Sequence, residues 1–228
     1  MLFWNDSLSP MASRFDLLVF DWDGTLMDSA GSISASLQAA CHDLGHAVPS
    51  DRDARYVIGL GLHEALAHVL PGVPPSEYPR VVERYRHHFL LRDSGTNLFP
   101  GVREMVHDLR RDGHLLAVAT GKSRRGLDRA LEATGLMHSF HATRCADESH
   151  SKPNPAMLHW LLEHLGVRAE RTLMIGDTTH DLAMAEAAGV ARVAVAHGAH
   201  EAHELVQYAP LACVQDCAEL RAWLTENA

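Results

Sequence analysis

The sequence predicts an α/β fold, a parallel sheet flanked by helices and interrupted early by an all-helical insertion. Three observations carry this. Short apolar runs recur along the chain, and helical patterns alternate with them. The one long exception, Ser29–Asn97, shows helical periodicity only. Alternation of the first kind builds βαβ units around a parallel sheet. A stretch of the second kind, placed directly after the first strand, reads as a lid.

The first strand is Leu17–Phe20, a branched and aromatic run ending in the turn signal Asp21-Trp22-Asp23-Gly24. Further strands are predicted at Leu115–Ala119, Thr172–Ile175 and Arg192–Ala196, each following a helical pattern and a short turn. Val102–Arg111 with Asp112-Gly113 precedes one of them, and Pro155–Leu165 with Gly166 another. Weaker strands fall at Phe140–Thr143 and near Leu211–Val214. Within the insertion, Ile33, Leu37, Ala40, Cys41 and Leu44 share one helical face, as do Val81, Val82, Tyr85, Phe89 and Leu90. Pro49, Pro71-Gly72 and Pro74-Pro75 separate these helices. The organisation is therefore a core at 1–28 and 98–228 and a helical cap at 29–97.

A chain of 228 residues can hold one sizeable core, or a core with a smaller inserted unit. The formal charge of −9, from 20 basic against 29 acidic residues, argues against nucleic acid as a partner, since phosphate backbones select clustered Lys and Arg. A small anionic ligand remains compatible, because it needs only a local patch of donors. No apolar run approaches membrane-spanning length, and Met1–Pro10 lacks the pattern of a signal peptide. Met11 is a second candidate start, which would leave the first ten residues as a tail. Cys41, Cys145, Cys213 and Cys217 fit no zinc or disulfide spacing and read as packing residues of a cytoplasmic protein. His87-His88 and the series His197, His200, His203 lack Cys or carboxylate partners at ligand spacing, so they read as surface and helix-face residues.

Four segments carry chemistry. Asp21 and Asp23 leave the carboxyl end of the first strand, where open parallel sheets place ligands. Gly24 permits the sharp turn that lets both acids face one volume. Such a pair repels itself unless a cation or a proton intervenes. Thr120-Gly121-Lys122-Ser123 offers hydroxyls and free backbone N–H groups at a helix start, a natural anion site. Lys152 stands in a loop stiffened by Pro153 and Pro155, where its ammonium can neutralise a phosphate and nearby carboxylates. Asp177 follows Thr172–Ile175, and Asp181 lies one helical turn further on; oxygen ligands from separate strand ends suit Mg²⁺. Each segment also has an ordinary structural reading, as a turn, a helix cap or a solvated lysine. Their joint occurrence in chain order favours a site.

These motifs resemble the four signatures of the haloacid dehalogenase-like superfamily: Asp21-Trp22-Asp23-Gly24-Thr25, Thr120 after its apolar strand, Lys152 with Pro153, and Gly176-Asp177 to Asp181. The resemblance implies a Rossmann-like core. An insertion between the first and second motifs is similar to that of members with a small four-helix cap. Ile58-Gly59-Leu60, Phe99-Pro100-Gly101-Val102 and Gly198-Ala199-His200 are most similar to phosphoglycolate phosphatases and their close relatives.

The resemblance further implies a mechanism. Asp21 would attack phosphorus and form an aspartyl-phosphate, and Asp23 would protonate the leaving alkoxide and then activate water. Mg²⁺ would be held by the Asp21 carboxylate, the Asp23 backbone carbonyl and Asp177, with Asp181 acting through water or supporting the others. Thr120, the Gly121 N–H and Lys152 would bind the phosphoryl oxygens. The expected partner is a small phosphorylated metabolite, phosphoglycolate by preference. Asp23 disfavours dehalogenation, because the dehalogenases of the superfamily do not use an acid/base aspartate there. A sugar phosphomutase or a pyrophosphatase could use the same core, whereas a phospho-receiver lacks both the Asp-x-Asp-Gly-Thr motif and a large insertion. A catalytically dead binder would need a lost motif residue, and all are present. Arg55, Arg84, Arg86 and His63 are the candidates in the insertion for reaching a substrate carboxylate. No feature of the sequence separates monomer from homodimer.

Overall fold

A computed structural model describes residues 14–93 and 97–228. The suggested tail before Met11 lies outside them. A single six-stranded sheet forms from β1 (Leu17–Phe20), β2 (Leu115–Thr120), β3 (Ala142–Cys145), β4 (Thr172–Gly176), β5 (Ala191–Val195) and β6 (Cys213–Val214). Its order is β3-β2-β1-β4-β5-β6, and every neighbouring pair is parallel. The chain thus builds outward from β1 on one side and then crosses back to the other. The crevice at that reversal, outside the strands' carboxyl ends, is where open α/β sheets bind ligands.

Side chains alternate across the sheet and fill a core on each face. Leu18, Phe20, Leu116, Val118, Leu173 and Ile175 pack on one side, against α5 (Val102–Arg111), α6 (Arg124–Thr134) and α10 (Cys217–Asn227). Leu17, Val19, Ala117, Ala119 and Met174 point the other way, to α7 (Ala156–Leu165) and α8 (Thr179–Ala187). Burial on both faces explains why these strands read as continuous apolar runs. A short helix, α9 (Ala202–Leu205), precedes β6. Two of the weaker strand assignments shift: the third strand lies at Ala142–Cys145 and the sixth is only Cys213–Val214. Both pair along one edge only, so their sequences carry less of the buried-strand signature.

The insertion comprises α1 (Ala30–Asp43), α2 (Asp51–Tyr56), α3 (Leu62–Val69) and α4 (Tyr78–Asp93). It has its own apolar cluster, built around Leu37, Cys41, Val57, Leu66, Tyr78 and Val81. Ser50 caps α2 by accepting the Asp53 N–H at 3.1 Å.

Several contacts fasten the insertion to the core. The Gly61 N–H donates to Ser151 Oγ at 2.7 Å. Tyr56 ends α2, and its carbonyl accepts from two core histidines, His180 Nε2 at 2.7 Å and His200 Nε2 at 3.0 Å. The Thr179 N–H donates to His200 Nδ1 at 3.1 Å, which leaves the ring proton on Nε2 for Tyr56. The surface assignment of His200 is therefore corrected: it is buried, and stacked on the Tyr56 ring at 5.4 Å. All four cysteines are free, as their spacing indicated.

Gly121 marks the closest approach of the two parts. A Cβ there would lie 2.5 Å from the carbonyl oxygens of both Gly59 and Leu60. Backbone atoms yield little, so Gly121→Ala is expected to push the α2–α3 loop off the core while leaving the sheet intact. Hydrogen exchange should then quicken in the Val57–Leu62 segment and stay unchanged in β1 and β4; equal protection throughout would contradict this reading of the contact.

Candidate active site

Parallel pairing sets the site. Phe20 is level with Val118 of β2 and Ile175 of β4; past that level β2 runs on to Thr120 and β4 to Gly176. The Asp21 N–H donates to the Ile175 carbonyl at 2.9 Å and carries the ladder one residue further. Asp21, Thr120 and Asp177 consequently emerge side by side, and all three are fully buried. Lys152 reaches the same point from the loop ahead of α7. Its Nζ donates to Asp21 Oδ1 at 2.7 Å and to Asp181 Oδ1 at 2.6 Å.

Asp181 sits in the first turn of α8. Its Oδ2 accepts from the Thr178 N–H at 3.1 Å and the Thr178 hydroxyl at 2.7 Å. The structure therefore combines two readings of the sequence, since the same carboxylate closes a capping box and faces the site. Asp177 is fixed by the Thr25 hydroxyl at 2.6 Å and the Ala199 N–H at 2.8 Å. Glycines make room for it. A Cβ at Gly24 would stand 2.2 Å from Asp177 Oδ2, and one at Gly198 2.1 Å from it. Gly24 also has φ +88°, a region that glycine enters without steric cost.

One oxygen from each of Asp21, Asp177 and Asp181 lies within 4.8 Å of the others. Burial raises Asp21 well above the ordinary carboxylate range; Lys152 opposes that rise, and the charges of Asp181 and Asp177 add to it. Asp177 is pushed up to about 7, chiefly by burial and then by Asp181. Burial works against the Lys152 charge as well, yet Asp181 and Asp21 outweigh it and hold the ammonium above its usual value. The cluster therefore carries an excess of negative charge that one ammonium does not balance. Asp21 Oδ2 is buried and has no hydrogen-bond partner among the described residues. Three carboxylate oxygens converging around an unsatisfied one suit a hard divalent cation such as Mg²⁺.

Asp23 is turned differently. Its carboxylate accepts from Lys122 Nζ at 2.8 and 2.9 Å and from the Ser29 hydroxyl at 2.7 Å. Its carboxylate is thus not one of the three that converge. Lys122 also lies over the ring of Phe89, a residue of the insertion, at 5.0 Å. At Thr120 the hydroxyl accepts the Lys122 N–H at 3.1 Å.

Lys122, Ser29 and Thr25 are site residues that motif reading passed over. Lys122 and Thr25 lay inside the quoted motifs, so their positions were available; their partners were not, because Asp23 is 99 residues from Lys122 and Asp177 is 152 from Thr25.

Between the strand ends and the insertion lies a cavity of about 660 Å³, which Asp21, Asp23, Thr120, Gly121 and Lys122 line on the core side. Of the four side chains of the insertion proposed to reach it, Arg86 and His63 line the cavity. Arg55 is instead paired with Asp51 at 2.9 Å, and Arg84 with Asp43 at 2.6 Å. No helix among the described residues is long and apolar enough to cross a membrane.

The family model described as haloacid dehalogenase-like hydrolase matches residues 18–195. The chain is 37% identical over 211 residues to the probable phosphatase IndB of Dickeya dadantii (strain 3937), covering 90% of this chain and 91% of the relative. It is 29% identical over 203 residues to a phosphoglycolate phosphatase of Vibrio cholerae serotype O1, covering 85% and 90%. A hydrolase from Pseudomonas syringae has the same fold, with a TM-score of 0.86 at 21% identity over 93% of this chain and 98% of that one. From its strand-end acids to its helical insertion, the chain belongs to the haloacid dehalogenase-like hydrolase family, as a phosphatase.

Proposed function

We propose that this phosphatase hydrolyses a small phosphomonoester with Mg²⁺, through an aspartyl-phosphate formed on Asp21. The observation that carries the reading is Asp21 itself: a buried carboxylate with one oxygen on Lys152, the other unsatisfied, and Asp23 two residues on. Asp21 would attack phosphorus in line as the ester P–O bond breaks. Asp23 would give its proton to the leaving alkoxide, then take one from the water that attacks the acyl phosphate and frees Asp21.

Mg²⁺ would be held by Asp21, Asp177 and the Asp23 carbonyl, with Asp181 supporting; when bound it offsets negative charge on the substrate and on the attacking carboxylate. Lys152, the Thr120 hydroxyl and the Gly121 N–H would bind the phosphoryl oxygens. The helical insertion acts as the cap, excluding bulk water from the acyl phosphate until the alcohol has left. Relatives named phosphoglycolate phosphatase support phosphoglycolate as the first substrate to try.

Phosphate release from a broad panel of phosphorylated metabolites with Mg²⁺ tests the reading directly. Asp21→Asn should lower turnover about a thousandfold or more, since a neutral amide cannot form the acyl phosphate. Undiminished release by this variant would remove Asp21 from the nucleophile's role. Asp23→Asn should keep its Mg²⁺ affinity and turn over roughly 10²–10⁴-fold more slowly, as loss of a general acid/base does. Normal turnover there would assign proton transfer elsewhere.

The raised carboxyls also make metal binding depend on pH. Below about 7 a proton occupies Asp177 and competes with the cation, so Mg²⁺ affinity should climb as pH rises toward 7 and level off above it. The same shift means that folded metal-free protein binds more protons than the unfolded chain between about pH 4 and about 7. This group's contribution to stability therefore falls as pH rises through that window. Calorimetric titration with Mg²⁺ at about pH 5.5 and about pH 8 should give at least tenfold weaker binding at the lower value; equal affinities would contradict the assignment of Asp177 as a ligand.

A further inference from the structure

The cavity is larger than a two-carbon acid alone would fill. At about 660 Å³ it falls in the range of roughly 300–1,000 Å³ that accommodates drug-sized ligands, and a phosphoryl group fills only its core end. Beyond Asp23 and Lys122 its walls come from the insertion on one side and from α6 and the segment after β3 on the other, where Arg125, Arg129 and Asp147 stand. Ile33, Ile58, Leu60, Tyr85 and Phe89 give the insertion's side its hydrocarbon.

Burial alone does not account for this surface. Leu60 and Tyr85 pack against the cluster that holds the insertion together, yet they and Ile33 remain partly exposed at the cavity. Arg86 and Arg125 line the cavity, are solvent-exposed, and have no ion pair among the described residues; Arg129 lines it as well. Lys122 is already engaged by both oxygens of Asp23.

We infer that the leaving group of the physiological substrate is an extended apolar body, larger than a two-carbon acid, seated against Ile33, Ile58, Leu60, Tyr85 and Phe89. The inference rests on the phosphatase reading and names the substrate class of that same site. Apolar contact with these walls lowers the free energy of binding in proportion to the area removed from water. It also carries over to the transition state, because the alcohol stays in the cavity while the P–O bond breaks.

Primary alkyl phosphates isolate this effect. Ethyl, butyl and hexyl phosphate have leaving alcohols of nearly equal acidity, so differences among them report contact with the walls and not chemistry. With Mg²⁺ present, kcat/KM should rise at least tenfold from ethyl to hexyl phosphate, and hexyl phosphate should exceed 2-phosphoglycolate. Ile33→Asn and Leu62→Asn, at two separate positions on the wall, should each reduce the hexyl-to-ethyl ratio at least threefold.

A flat series, or 2-phosphoglycolate turned over tenfold faster than hexyl phosphate, would overturn the inference and leave the phosphatase reading standing. If no ester is hydrolysed the phosphatase reading fails, and binding then decides the inference. Calorimetric titration with ethyl and hexyl phosphonate upholds the apolar seat if the longer chain binds at least tenfold tighter, and overturns it if the two bind alike.

Discussion

Three buried carboxylates share one buried ammonium, and most of the local structure follows from that imbalance. Asp21, Asp177 and Asp181 bring oxygens within 4.8 Å of one another, and Lys152 touches two of the three acids. At that separation, and an effective dielectric of about 20, each like-charged pair repels by roughly 3 kcal/mol. Lys152 offsets much of this through its contacts with Asp21 and Asp181 but makes none of the hydrogen bonds that hold Asp177. A fold does not keep that arrangement for packing. Protons relieve the repulsion in part, as the raised Asp21 and Asp177 carboxyls indicate, and a divalent cation would relieve it more fully.

Holding the acids together requires that other residues give way. Side chains are absent where they would collide: a Cβ at Gly24 or Gly198 would strike Asp177, and one at Gly176 would lie 2.4 Å from the Asp181 side chain. Directed donors occupy the remaining approaches. Thr25 and the Ala199 N–H fix Asp177, while Thr178 fixes Asp181 from the helix it caps. Each carboxylate thus loses the freedom to swing away, and orientation is settled before any substrate arrives. Asp23, two residues from Asp21, escapes the cluster because Lys122 and Ser29 hold it on the cavity side. The Asp-x-Asp spacing thereby places the two carboxylates in different surroundings, one on Lys152 and one on Lys122.

Much of this was legible in the sequence, for a definite reason. Buried parallel strands write continuous apolar runs, and the reacting groups stand at their ends, so Leu17–Phe20 and Thr172–Gly176 announce both the sheet and the acids. Edge strands are less visible. β3 and β6 have one hydrogen-bonded neighbour each, and their placements had to be corrected. Partnerships across long loops were invisible too, because a lysine in a Thr-Gly-Lys-Ser turn does not declare which carboxylate it meets. Histidine was the clearest misreading. His200 follows a turn at Gly198 and resembles a surface residue, yet it is buried and gives its ring proton to the insertion. Local pattern reports an element's own burial, whereas His200 is buried by an element some 140 residues away in sequence.

That last contact bears on how the two parts of the molecule divide their work. The Tyr56 carbonyl receives both His180, which lies between Asp177 and Asp181 in the chain, and His200, whose backbone N–H donates to the Asp177 carbonyl, so the insertion is attached next to the acids. Burial pushes His180 down to about 4 and lowers His200 as well, so both rings are neutral near pH 7 and donate without adding charge beside the cluster. Lys122 makes a second junction, with its ammonium between Asp23 and the Phe89 ring. The core supplies the acids and the insertion much of the hydrocarbon, and the two meet through neutral donors, the Lys122–Phe89 contact and the Arg52–Glu204 ion pair. Water can replace the polar contacts of such a boundary, whereas opening it would also separate Ile58 from Ala199. The acids themselves need not move, since every group that orients Asp177 and Asp181 belongs to the core.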